Sequence, residues 1–350
     1  MIDPRVLIVW REKCRIRQDI VMRADTTTTR TKRELETTPR NEWSRRRFVQ
    51  AAGGALVAAI GPRVSLGSPL AAGGKPPLII DCHAHIYGED PDSYPTVFKP
   101  LRPPEGKGTV PHLIDELRSN GVSKVTAIQT STFYRWDNRF TVDSARAHAD
   151  SMAAVCTLNP DNPRSSRLLE RYVNEGGVRG MRSVAAQDGR LDHPGVDKLW
   201  ETAERLGIVI NVLVGRQYAP QIVALVKRHP KLRIVIDHCL GLQASDVEPT
   251  VKAMEELAKL PTVHAKMTFL PTGSAEEYPC QDLHQACLRI IEAFTPDRCV
   301  WGSDFPCELW CPKVTYAQHL KIFTHKLGLD DAAKSAVLGK TAQRLWFDPL

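Results

Sequence analysis

Eight short runs of nearly unbroken apolar and β-branched residues recur along the chain at intervals of about 25 to 35 residues, the spacing of strand-plus-helix units. They span residues 78–84, 124–130, 152–158, 178–184, 208–214, 233–239, 263–269 and 299–304. Continuous apolar character suits parallel strands buried on both faces. Between them lie stretches with apolar positions at helical spacing, at 110–120, 165–175, 196–206, 219–228, 250–259 and 282–294, and two closing helices follow near 316–326 and 331–346. Gly121, Gly176 and Gly207 fall just past helix ends, where a left-handed cap is expected. An open flavodoxin-like sheet would use fewer strands and often a glycine-rich phosphate loop, which the sequence lacks. The pattern predicts a single-domain α/β chain folded as a (β/α)8 TIM barrel, with its site at the C-terminal ends of the strands.

Charge divides the chain into two parts. Residues 1–74 carry 14 Lys and Arg against 7 Asp and Glu, while residues 75–350 carry equal numbers of each, so the whole formal charge of +7 lies in the N-terminal extension. The barrel region is neutral overall, which argues against binding a nucleic-acid backbone. In the extension, Ser44-Arg45-Arg46-Arg47-Phe48-Val49 matches a twin-arginine pattern. The Ala- and Gly-rich run after it is too short to span a bilayer. We expect residues 1–74 to be an export signal read by the twin-arginine machinery, with Met22 as an alternative start. Residues 75–350 then form a periplasmic or extracytoplasmic barrel domain with no membrane partner once the signal is removed; homo-oligomerisation is left open.

Of the nine cysteines, Cys82, Cys156, Cys239 and Cys299 lie within strand runs and read as small buried thiols. Cys307 and Cys311 follow the last strand, where a disulfide, a soft-metal contact and loop packing are all open.

Polar residues at the ends of the strand runs are the candidates for chemistry. The first run carries His83 and His85, which alternation points the same way. The fourth carries Arg182, the fifth Asn211, the sixth His238 after Asp237, the seventh Lys266 and the eighth Asp304. A His-x-His pair is common by chance. Its placement opposite a histidine and a carboxylate at one barrel mouth is not. Tyr134 and Trp136 lie in what reads as a long loop after the second strand. Asp81 reads as a backbone hydrogen-bond acceptor, Asp237 as a group orienting a histidine or capping a loop, and Trp310, Trp346 and Phe347 as packing. His148, His193, His229, His264, His284, His319 and His325 read as surface or helix residues.

The segments Ile80-Asp81-Cys82-His83-Ala84-His85, Gly177-Val178-Arg179-Gly180-Met181-Arg182, Ile236-Asp237-His238, His264-Ala265-Lys266 and Trp301-Gly302-Ser303-Asp304-Phe305-Pro306 occur in an order that resembles the amidohydrolase superfamily. The likeness is to its amidohydrolase 2 branch, which holds lactonases of sugar acids and pyrone dicarboxylates together with decarboxylases and hydratases. It implies a lactonase-like hydrolase acting on a small carboxylate-bearing substrate, with Asp304 as base, His83 and His85 beside it, and His238 polarising the carbonyl. Arg182, Lys266, Asn211 and Tyr134 become candidate substrate contacts, with Arg182 clamping a carboxylate. The sequence departs from metal-dependent members in having Asn211 where strand 5 usually ends in histidine. His83, His85 and Asp304 are still enough to hold one divalent ion such as zinc, and metal-free catalysis remains an alternative. The rival readings are a metal-dependent decarboxylase or hydratase of an aromatic or unsaturated acid, and a non-catalytic exported binding protein.

Overall fold

The computed structural model describes residues 77–350, so the twin-arginine segment and the boundary expected after residue 74 lie outside the described residues. Eight parallel strands pair in sequence order. They are β1 (Ile80–Ala84), β2 (Lys124–Ile128), β3 (Met152–Thr157), β4 (Gly180–Ser183), β5 (Val209–Val212), β6 (Ile234–Ile236), β7 (Val263–Met267) and β8 (Cys299–Trp301). Helices fill the connections, giving the expected (β/α)8 barrel.

Most strands stop earlier than their apolar runs suggested. β8 ends at Trp301, and Asp304 follows with a left-handed backbone at φ 57°. His238 likewise lies beyond β6, at φ 53°. The chain leaves the ladder there because it must turn outward to build the mouth. Two local expectations are corrected. A helix, Arg139–Ala147, occupies part of the segment read as a loop, burying Thr141, Val142, Ser144 and Ala145. The helix Ser165–Gly176 is capped by Gly177 at φ 67°, so Gly176 is its last helical residue.

Two apolar layers hold the barrel. Ala127, Ala154, Ile210 and Ile236 face the surrounding helices. Ile80, Val155, Val209, Val235 and Val300 fill the interior and pack on Ala342, Leu345 and Trp346. The C-terminal segment thereby closes the end opposite the mouth. It is held there from the N-terminal ends of β4 and β2: Arg179 Nε, just before β4, donates to the Trp346 carbonyl at 3.0 Å, and Lys124 Nζ donates to Gln343 Oε1 at 3.1 Å.

Closure between β8 and β1 rests on few contacts. Ala84 bridges to Phe305, and the His85 N–H donates to the Phe305 carbonyl at 2.8 Å. Beneath that bridge the Asp81 carboxylate accepts from the backbone N–H of His83 (3.0 Å) and of Ser303 (2.9 Å), the Ser303 hydroxyl (2.6 Å) and the Tyr316 hydroxyl (2.9 Å). Burial raises the Asp81 carboxyl above its usual range, against the pull of these donors.

Replacing Asp81 with Ala strands several buried donors, each costing about 1 kcal/mol or more, so we expect a loss of about 3 kcal/mol or more in urea unfolding; an unchanged midpoint would reject the clamp. His319 is also buried here, its Nδ1–H donating to the Ser303 carbonyl at 3.1 Å, and burial lowers its pKa from 6.5 to about 4. In that window the unfolded chain takes up a proton that the folded chain does not, so His319 makes stability fall as pH drops from 6.5 towards 4 and adds no further loss below that. His264, lowered to about 4 by burial, acts with the same sign. Urea midpoints measured across this range should fall less steeply in His319→Gln than in the unmodified chain.

Candidate active site

Ile80 and Cys82 belong to the interior layer, so strict alternation would turn His83 and His85 outward. A register shift between Asp81 and Ala84 reverses this and brings both imidazoles to the mouth. Gly302 permits the approach from β8: a Cβ there would lie 2.8 Å from His83 Cβ and 2.9 Å from Thr268 Cγ2. His83 Nε2 and His85 Nε2 are 3.3 Å apart, and Asp304 Oδ1 is 3.5 Å from the first and 3.9 Å from the second. The three residues are buried.

Hydrogen-bond partners fix which ring nitrogens carry protons. His85 Nδ1 meets the Ile128 carbonyl at 3.0 Å, so Nδ1 is the donor and Nε2 keeps its lone pair. Arg182 Nη2, which can only donate, lies 2.9 Å from His83 Nε2. Burial, then Lys266, His238, Arg182 and His85, hold the His83 pKa well below 6.5, so this ring is neutral. Two lone-pair nitrogens and a carboxylate oxygen thus converge. Around a tetrahedral ion bound at roughly 2.0 to 2.2 Å, donor atoms lie roughly 3.3 to 3.5 Å apart. Two of the observed separations, 3.3 and 3.5 Å, match that spacing, and the third, 3.9 Å between His85 Nε2 and Asp304 Oδ1, is a few tenths of an ångström longer. These residues can therefore hold one metal ion, in a position that competes with Arg182 for His83 Nε2.

Around this centre, Asp237 gathers the other polar residues. Its Oδ1 accepts from Lys266 Nζ at 2.8 Å and Asn211 Nδ2 at 3.1 Å, and its Oδ2 is 3.4 Å from Arg182 Nε. Lys266 is fully buried, with Nζ 3.5 Å from His83 Nδ1 and 5.4 Å from the centre of the Trp346 ring. His238 Nδ1 pairs with Thr268 Oγ1 at 2.7 Å, and its ring centre is 4.7 Å from that of His83. Left-handed φ at His238, Cys239, Leu240 and Asp304 costs of order 1–3 kcal/mol at each such residue. Strain of this kind collects where a fold aims functional side chains.

The structure therefore brings together His83, His85, His238, Asp304, Arg182, Lys266 and Asn211. Lys266 and Asn211 meet the carboxylate of Asp237, whose gathering role the sequence reading had not seen. Tyr134 packs in an aromatic cluster with Tyr87 and Phe133, and its hydroxyl accepts from the Gly88 N–H at 2.6 Å. Trp310, read as packing, stands 5.5 Å from His85 ring to ring. Thr268 could have been found from its place two residues beyond Lys266, on the same face of the strand. Cys307 and Cys311 are free thiols directed at the Ser303 carbonyl at 3.8 and 3.7 Å, so packing describes them. Two of the remaining histidines depart from the surface-or-helix reading, His229 being buried against Asp197 and His264 lying on β7, while His319 is in the helix Tyr316–Lys321 and fully enclosed.

The model of the amidohydrolase family matches residues 80–347. An L-fucono-1,5-lactonase of Burkholderia ambifaria is 27% identical over 195 residues, 54% of this chain and 67% of that protein. A 4-sulfomuconolactone hydrolase of Hydrogenophaga intermedia is 22% identical over 237 residues, 66% of this chain and 75% of that one. Among solved structures, an amidohydrolase of Burkholderia multivorans with bound zinc shares the fold at a TM-score of 0.63 and 24% identity, covering 78% of this chain and 100% of the other. With a match spanning every strand and the segment that carries Asp304, the chain belongs to the amidohydrolase family, in its amidohydrolase 2 branch.

Proposed function

We propose that the protein hydrolyses the cyclic ester bond of a small lactone, with Asp304 as general base. The observation that carries this reading is the convergence of His83 Nε2, His85 Nε2 and Asp304 Oδ1 within 4.8 Å of one another at the barrel mouth. The relatives named for lactone hydrolysis support it.

Ester hydrolysis needs a water held for attack, a base for its proton and a donor for the developing oxyanion. Here the His85 Nε2 lone pair accepts one hydrogen of the water and Asp304 takes the other as the new C–O bond forms, while His83 Nε2 accepts from Arg182. His238 stands beside His83, its ring centre 4.7 Å away. When the Thr268 hydroxyl donates to its Nδ1, Nε2–H is left as the donor to the carbonyl oxygen. Arg182 lies against His83 and Asp237, which gives it cationic N–H groups beside the reacting carbonyl and steadies the His83 ring. As the ring C–O bond breaks, the proton held by Asp304 passes to the leaving alkoxide, giving the open hydroxy acid. A divalent ion held by His83, His85 and Asp304, such as the zinc in the Burkholderia multivorans structure, would acidify a bound water and polarise the carbonyl.

Asp304→Asn should lower kcat by about 100-fold or more while leaving the fold intact by circular dichroism; near-normal turnover of a verified lactone would sink the assignment. Zinc added to chelator-treated protein should bind once per chain, as counted by elemental analysis after gel filtration, and His85→Ala should weaken that binding at least 10-fold. Retention of zinc by His85→Ala at unchanged affinity would place the ion elsewhere.

A further inference from the structure

Thr157, Arg182 and Asn211 form one row across three neighbouring strands: Thr157 is in register with Arg182 between β3 and β4, and Arg182 with Asn211 between β4 and β5. All three are buried. Thr157 and Asn211 face the barrel interior, because Val155 and Val209, two residues earlier on the same strands, belong to the interior layer. Arg182, at the centre of the row, touches His83 Nε2, so the row borders the reacting groups.

The strand on each side of Arg182 carries a polar atom with no hydrogen-bond partner among the described residues, Thr157 Oγ1 on one and Asn211 Oδ1 on the other. The orientation of the Asn211 amide is determined by its neighbour. Nδ2 donates to Asp237, a carboxylate only accepts, and so the oxygen is the atom left over. Buried polar atoms are nearly always hydrogen-bonded, and an exception next to a reacting centre points to a ligand group.

The chemistry of the row selects that group. A carboxylate offers only lone pairs, which suit Arg182 and oppose Asn211 Oδ1. A hydroxyl can donate to Asn211 Oδ1 and accept from Arg182, or exchange a hydrogen bond with the Thr157 hydroxyl. Asp237 also lies beside both cations of the cluster, 2.8 Å from Lys266 and 3.4 Å from Arg182, which weakens their pull on a second substrate carboxylate. We propose that Thr157 and Asn211 form a hydroxyl-recognising subsite, and that the lactone is polyhydroxylated, of the sugar-acid type, rather than an unsaturated dicarboxylate. This rests on the lactonase reading and departs from the carboxylate clamp expected of Arg182.

The test is steady-state kinetics of the unaltered chain, Thr157→Val and Asn211→Leu on a hydroxylated aldonolactone, its monodeoxy counterparts and a pyrone dicarboxylate, joined to calorimetric binding of the corresponding open-chain acids. The hydroxylated lactone should be preferred. Removing one substrate hydroxyl, or the Thr157 hydroxyl, should raise KM about 10- to 100-fold with a smaller change in kcat, and the two deletions together should cost little more than either alone. Equal effects of Thr157→Val on all substrates, or a preference for the dicarboxylate, would overturn the subsite. If no lactone is hydrolysed but the hydroxylated acid binds with this pattern, the subsite stands and the lactonase reading falls. If only the dicarboxylate reacts, the lactonase reading stands and the subsite falls. The substrate-side deletion needs no altered protein, so a failure of Asn211→Leu to fold leaves the outcome readable.

Discussion

A barrel of eight strands has one seam where the last must find the first, and in this chain the seam also separates the two halves of the reactive centre. His83 and His85 stand on one side and Asp304 on the other. Asp81 spans the gap by accepting from His83 and Ser303 backbone together, with the hydroxyls of Ser303 and Tyr316 completing its shell. The same carboxylate that closes the fold therefore sets the distance between base and imidazoles. Stability and geometry of the site are one problem at this position.

The interior beneath the mouth is apolar and closed at its far end by Trp346, and this shapes the electrostatics above it. A fully buried ammonium is costly unless paired. Lys266 meets that cost through Asp237 at 2.8 Å and the face of Trp346. Asp237 in turn lies against Arg182 and Asn211, so a single buried carboxylate organises both cations next to His83. That crowding of positive charge, on top of burial, helps keep His83 neutral, with its Nε2 lone pair turned to Arg182.

Much of this was legible before any coordinates. The periodic apolar runs announced eight parallel strands, because burial on both faces leaves no room for polar alternation. Residues at the ends of those runs had to meet at one mouth, which brought His83, His85, His238 and Asp304 to notice together. Tyr134 could not be positioned in the same way: segments after strands are not bound by the ladder, and that its ring packs with Tyr87 and Phe133 shows only in the structure. The helix Arg139–Ala147 was hidden in a polar stretch whose short apolar face shows only when packed.

The sequence by itself determined the barrel, the residues able to carry the chemistry and their order around the mouth, since side-chain period and strand spacing are local properties. Tertiary structure alone decided the bulge that turns both imidazoles inward, the seam held by Asp81, the capture of Lys266 and Asn211 by Asp237, and the alignment of Thr157 with Arg182 and Asn211. Each of these depends on register between strands far apart in the chain, and register is set by closure of the whole sheet, which no short segment encodes.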